Sequence, residues 1–229
     1  MVMVPALFAA FPGTAHPLLM GTNKLAATPG LAVATWRYAA GLRMPWRVAA
    51  PAALAYSLTT VAGVYLSRST PTAVFKLLVP LMLAAMLAYV LLKRDFGLAH
   101  APLGSRGAGT AVALGAVMGV YEGFFGPGSG TLLIFAFVRV FGFDFMHASA
   151  ASKLVNFAGC ATAALVFGLH GEAMIGLAAG MAACYLAGAW TGAHMAIARG
   201  SRWLRGVFVV VATLLIARTA WDAARPYLG

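Results

Sequence analysis

Apolar runs long enough to cross a bilayer as helices recur along nearly the whole chain, and this leaves few folds open. The hydrocarbon core of a membrane takes roughly 20 residues of helix. Pro17–Tyr38, Pro45–Leu66, Ala73–Leu92, Ala108–Phe125, His147–Leu169, Glu172–Ala198 and Trp203–Trp221 are runs of this kind. Met1–Phe11 and Thr131–Phe141 are about half as long. Backbone polar groups in lipid must be satisfied within the protein. The expected fold class is therefore all-α, a polytopic helical membrane protein in contact with the lipid bilayer. With 62% hydrophobic and 9% charged residues, the chain has too little polar surface to clothe a soluble core or to sustain disorder. Its longest polar stretch, Lys93 to Gly107, is too short to be a soluble domain.

The charges orient the spans. Lys and Arg total 16 against 5 Asp and Glu, a formal net charge of +11. They sit singly or in threes between apolar runs, the pattern of cytoplasmic loops, and form no basic stripe that would bind nucleic acid. Arg37, Arg43 and Arg47 are expected on the cytoplasmic side, as are Lys93, Arg94 and Arg106, and Arg199, Arg202 and Arg205. The surroundings of Arg68 and of His170–Glu172 are expected outside. Ala108–Phe141 then begins and ends inside. This predicts a broken or re-entrant hairpin turning at Gly126-Pro127-Gly128-Ser129-Gly130.

A shift of 129 positions carries Lys24 onto Lys153, Leu25 onto Leu154, Phe8 onto Phe137, Gly30 onto Gly159 and Gly63 onto Gly192. Equivalent spans would run in opposite directions. Two domains follow, a first transmembrane repeat over 1–107 and a second over 108–229, arranged as an inverted repeat. In this alignment the first half is truncated at its start, without a counterpart of Ala108–Ser129.

Few residues can carry chemistry. The glycine-rich turn leaves backbone groups unpaired, and such backbone is tolerated in a membrane only where protein or a wet cavity surrounds it. Gly128 and Gly130 are expected to need glycine, through positive φ or close approach. Ser129 and Thr131 add hydroxyls where a helix begins, a place suited to an anion. Lys24 and Lys153 lie well inside their spans, where an ammonium is costly unless used. Read together they form a symmetric cationic pair for an anionic substrate, with Asn23, Ser152 and Asn156 beside them. Glu122 is the carboxylate deep in an apolar run, either a proton carrier or the counter-ion of Lys153. The ladders Gly115-Gly119-Gly123 and Gly176-Gly180-Cys184-Gly188-Gly192 read as helix-packing faces. Cys160 and Cys184 read as small packing residues. No metal site, cofactor or nucleophile–base pair is indicated, so an enzyme is not expected.

The blocks Tyr-Glu-Gly-Phe-Phe-Gly-Pro-Gly-Ser-Gly-Thr (121–131), Gly-Phe-Asp (142–144), Ala-Ser-Ala-Ala-Ser-Lys-Leu-Val-Asn-Phe-Ala (148–158) and Gly-Thr-Asn-Lys-Leu (21–25) resemble the TauE/SafE family of sulfite and organosulfonate exporters. The resemblance implies a multi-pass protein of the cell inner membrane that transports small, often sulfur-containing anions. The resulting expectation is a secondary transporter of a small anion, a sulfur-containing oxyanion or organosulfonate. The alternative is a truncated, non-transporting membrane subunit.

Overall fold

The computed structural model describes residues 3–11, 13–72, 74–75 and 107–199. These residues form helices α1 (Met3–Ala10), α2 (His16–Gly41), α3 (Trp46–Ser69), α4 (Ala108–Phe124), α5 (Ser129–Phe141), α6 (Phe145–Leu169) and α7 (Ile175–Arg199). The expected spans Ala73–Leu92 and Trp203–Trp221 lie mainly or wholly outside the described residues. Helices α3, α6 and α7 are both long and apolar enough to cross a membrane. The 26-residue α2 matches them in length but carries Thr22, Asn23, Lys24 and Thr28 in its first half.

Local chemistry sets the helix limits. Pro17 starts α2, where its missing N–H is not needed. Asp144 caps α6 by accepting from the His147 main-chain N–H at 2.8 Å and from the His147 ring at 2.6 Å. Burial pushes the Asp144 carboxyl up, but these hydrogen bonds outweigh it and hold the group below the ordinary carboxylate value.

Packing fixes the direction of each helix. The ladder Gly115-Gly119-Gly123 of α4 lies directly on the backbone of Ala52, Tyr56 and Thr60 of α3, so these two helices run parallel in close contact. Helices α2 and α6 are antiparallel: Gly21 meets Phe167, whereas Tyr38 clusters with Met146 and Ala150. Helix α7 runs parallel to α2, from Thr22 beside Met174 to Gly41 beside Ile197. The second glycine ladder does not behave as the first. A Cβ on Gly176, Gly180, Gly188 or Gly192 would meet no described atom within 4 Å. The small residues there face away from the described helices, so periodicity alone did not reveal a packing partner.

One core joins α3, α4, α5 and α6. Ala49, Ala111, Phe141, Phe143 and Ala148 lie together in it. The start of α4 and the end of α5 therefore sit at the same end of the bundle as the α2–α3 link with Arg43 and Arg47. The α4–α5 unit is a hairpin that enters and leaves on one side, as the charge pattern predicts. Its arms are about 26 Å and 20 Å long by helix rise. Outward positions are apolar: Leu58 is 74% exposed, Val117 71% and Ile175 73%. Such a surface suits hydrocarbon rather than water. Helix starts also recur at the shift of 129, His16 with Phe145 and Trp46 with Ile175.

Candidate functional site

The site is built where the hairpin turns. Helix α4 ends with the N–H groups of Phe125 and Gly126 both donating to Tyr121 O, at 2.8 and 3.0 Å. Gly126 and Gly128 both have φ of +81°, which an L side chain rarely adopts, and α5 begins at Ser129. Tyr121 OH donates to Pro127 O at 2.7 Å and braces the turn. Residues of α6 hold it from the other side. Asn156 Nδ2 donates to Ser129 Oγ at 2.8 Å, and Ser152 Oγ donates to Gly130 O at 2.8 Å. Ser152 and Asn156 are one turn apart on α6, so a single helix face grips both Ser129 and Gly130.

An ion pair lies beneath this turn. Lys24 Nζ donates to Glu122 Oε1 at 2.5 Å, with side chains only 3% and 1% exposed. Two further donors complete the carboxylate. Tyr56 OH reaches Glu122 Oε2 at 3.1 Å, and Cys160 Sγ reaches Oε1 at 3.1 Å. Helices α2, α3, α4 and α6 thus each contribute one group. Gly126 leaves room for the lysine, since a Cβ there would overlap Lys24 Nζ. Isolated charges in such an interior would be very costly, and pairing with additional hydrogen bonds is the condition for keeping them.

The sequence-predicted residues separate into three groups. Lys24, Glu122, Ser129, Asn156 and Gly128 come together at the turn. The counter-ion of Glu122 is Lys24, not Lys153: α2 packs across α6 and brings Lys24 to the level of Cys160, two helical turns from Lys153. Lys153 is half-buried on α6, and no hydrogen bond or ion pair to it occurs among the described residues. Cys160 lies within electrostatic reach of both lysines. Asn23 does not bond the pair; its Oδ1 is buried without a hydrogen-bond partner among the described residues. Thr131 is half-buried in the first turn of α5, its N–H donating to Gly128 O at 2.9 Å. The local conformation of Gly130 does not require glycine. It is helical, and a Cβ would meet its nearest atom, Asn156 Nδ2, at an ordinary 3.5 Å. The residue that needs glycine besides Gly128 is Gly126.

Tyr56 and Cys160 escaped the sequence reading. In the sequence Tyr56 is one aromatic in an apolar run, and Cys160 reads as a small packing residue. Tyr185 also lies within electrostatic reach of Lys24, Glu122 and Cys160. The shift of 129 that relates Lys24 to Lys153 also relates Tyr56 to Tyr185, which is the signal in the sequence that marks Tyr56.

A multi-pass helical bundle with a one-sided hairpin, and charged groups enclosed at its turn, is the architecture of a membrane transporter. The profile of the family described as "Sulfite exporter TauE/SafE" matches residues 1–219, and the chain belongs to that family. It is 30% identical over 228 residues to "Probable membrane transporter protein ORF9" of Sinorhizobium sp., covering 99% of this chain and 86% of that one. It is 28% identical to "Probable membrane transporter protein" of Haemophilus influenzae, over 97% of this chain and 86% of that protein. It is 27% identical to "Probable membrane transporter protein YfcA" of Escherichia coli K12, over 97% of this chain and 82% of that one. No solved structure matches the chain significantly.

Proposed function

We propose that the protein is a secondary transporter of a small anion, a sulfur-containing oxyanion or an organosulfonate, in the cell inner membrane. Its two halves, 1–107 and 108–229, act as an inverted repeat. The observation that carries this reading is the enclosure of Lys24 and Glu122 beside the hairpin turn, with Tyr56 on the same carboxylate. The repeat equivalents of Lys24 and Tyr56, Lys153 and Tyr185, both interact electrostatically with Cys160 of the same cluster. Equivalent helices α2 and α6 are antiparallel, as an inverted repeat requires. The family description, a sulfite exporter, supports the sulfur oxyanion.

In this reading Lys153 attracts the anion, because no counter-charge among the described residues neutralises it. An ammonium acts strongly where the surrounding dielectric is low. Gly128, Ser129, Gly130 and Thr131 present the start of α5 to the bound anion, and Asn23 and Asn156 supply amide groups. Glu122 exchanges the coupling proton. The test is flux of sulfite and of methanesulfonate into liposomes carrying the purified chain. Saturable uptake is expected with wild type, a loss of about tenfold or more with Lys153→Ala, and partial retention with Lys153→Arg. Flux no greater than in empty liposomes for both anions overturns the proposal.

A further inference from the structure

Lys24 cannot serve an incoming anion in the conformation observed, because Glu122 already occupies it. The carboxylate also takes the Tyr56 hydroxyl and the Cys160 thiol. One ammonium and two neutral donors drawn from three different helices converge on a single pair of acidic oxygens. That donor set would suit a small oxyanion equally well, since a carboxylate and a sulfonate both present oxygens sharing one negative charge.

We infer that Glu122 is a tethered stand-in for the transported anion, and that Lys24, Tyr56 and Cys160 are the ligands of the anion site it fills. The inference rests on the anion-transport reading above. Binding is then an exchange. The anion takes the three donors while the Glu122 carboxylate leaves them and gains a proton from the aqueous phase. One negative charge and one proton enter together, so the charge of the site is unchanged. The side chain that must move belongs to the last turn of α4, directly before the turn with positive φ at Gly126 and Gly128. The other groups facing the carboxylate do not replace the proton. Tyr121 of α4 is committed to Pro127 O, and Tyr185 of α7 is a neutral phenol. Lys153, two turns along α6, is a further cation among the described residues that acts electrostatically on Cys160. Cys160 is a ligand here by geometry, as one of several donors, with no covalent step.

The experiment uses the purified full chain in detergent and methanesulfonate, which stays anionic across the accessible pH range. Wild type should take up one proton per anion bound, seen as alkalinisation of a weakly buffered solution. Its affinity should weaken about tenfold for each unit of rising pH wherever one full proton is taken up on binding. Glu122→Gln should bind with no proton uptake and no such pH dependence. Tyr56→Phe should weaken binding by roughly tenfold. A second measurement does not depend on transport or on the choice of substrate. In Glu122→Ala the vacated donors should be refilled by formate, which should raise the unfolding temperature saturably. The same anion should do far less for wild type, where tethered Glu122 competes for the donors, and nothing for Lys24→Ala/Glu122→Ala. Proton-free binding to wild type, or a formate effect that persists without Lys24, overturns the inference while leaving anion transport standing. Formate rescue with no methanesulfonate binding to any variant supports the stand-in and counts against a sulfonate as the substrate.

Discussion

Asn156 Nδ2 donates to Ser129 Oγ at 2.8 Å, so the first residue of α5 is held from the middle of α6. Both side chains are buried, Ser129 at 3% and Asn156 at 7% exposure. Replacing Asn156 with Leu removes the amide donor to a buried hydroxyl and should cost about 1–3 kcal/mol in thermal unfolding of the detergent-solubilised protein. A cycle with Ser129→Ala should return a coupling of about 1 kcal/mol. Additive effects would show that the two side chains do not support each other.

The Lys24–Glu122 pair should respond asymmetrically to single and double replacement. Lys24→Met or Glu122→Leu alone strands a buried charge, at a cost of about 3–5 kcal/mol. Together they remove both charges, and the double variant should recover most of that loss. Unfolding temperatures of the three variants decide it. A double variant as unstable as the sum of the singles would contradict the pairing.

Alanine at two nearby glycines should have opposite effects. Gly126→Ala forces a Cβ onto Lys24 and into a left-handed conformation that costs an L residue about 1–2 kcal/mol on its own. Gly130→Ala adds a methyl to a helix with room for it and should be neutral or stabilising by up to about 1 kcal/mol. Yield of folded protein and unfolding temperature should diverge between the two.

Asp144→Ala should lose the cap of α6, about 1 kcal/mol at neutral pH. The folded carboxyl lies below its ordinary value, so its stabilisation is fully present above the unfolded value. It is lost as pH falls through the lowered folded value. Asp144→Asn keeps a capping oxygen and should abolish this acid-range slope in an unfolding titration.

Topology can be checked by cysteine labelling. Arg43→Cys should be shielded from an impermeant reagent added outside cells, and Gly171→Cys should react with it. Reaction of Arg43→Cys from outside would overturn this topology, and shielding of Gly171→Cys in the same assay would reverse the orientation of the bundle.

The hairpin was legible because two local signals agree. The 11-residue run Thr131–Phe141 is too short to cross, and basic residues flank the unit on one side only. The first glycine ladder was legible because its spacing matches the helix period, and the second shows that the same spacing does not name a partner. The wiring of the site was not legible. Glu122 and Lys24 are 98 positions apart, and which lysine Glu122 meets depends on how α2 crosses α6. Tyr56 and Cys160 stayed hidden because each is a polar atom on an otherwise apolar side chain, which only a three-dimensional neighbour turns into a ligand. The conformation of Gly130 was not legible because composition cannot tell a glycine in a turn from one already inside a helix.

Because α4 begins and α5 ends on the same side, the α4–α5 unit hangs from a single face of the membrane. A spanning helix that slides along its axis drags a hydrated loop into hydrocarbon on one side or the other. The hairpin has no loop on the far side to drag. What holds the unit in depth is therefore its enclosed end, where Glu122 is tied to Lys24, Tyr56 and Cys160 and α6 grips Ser129 and Gly130. Releasing those contacts frees the hairpin without drawing a hydrated far-side loop into hydrocarbon.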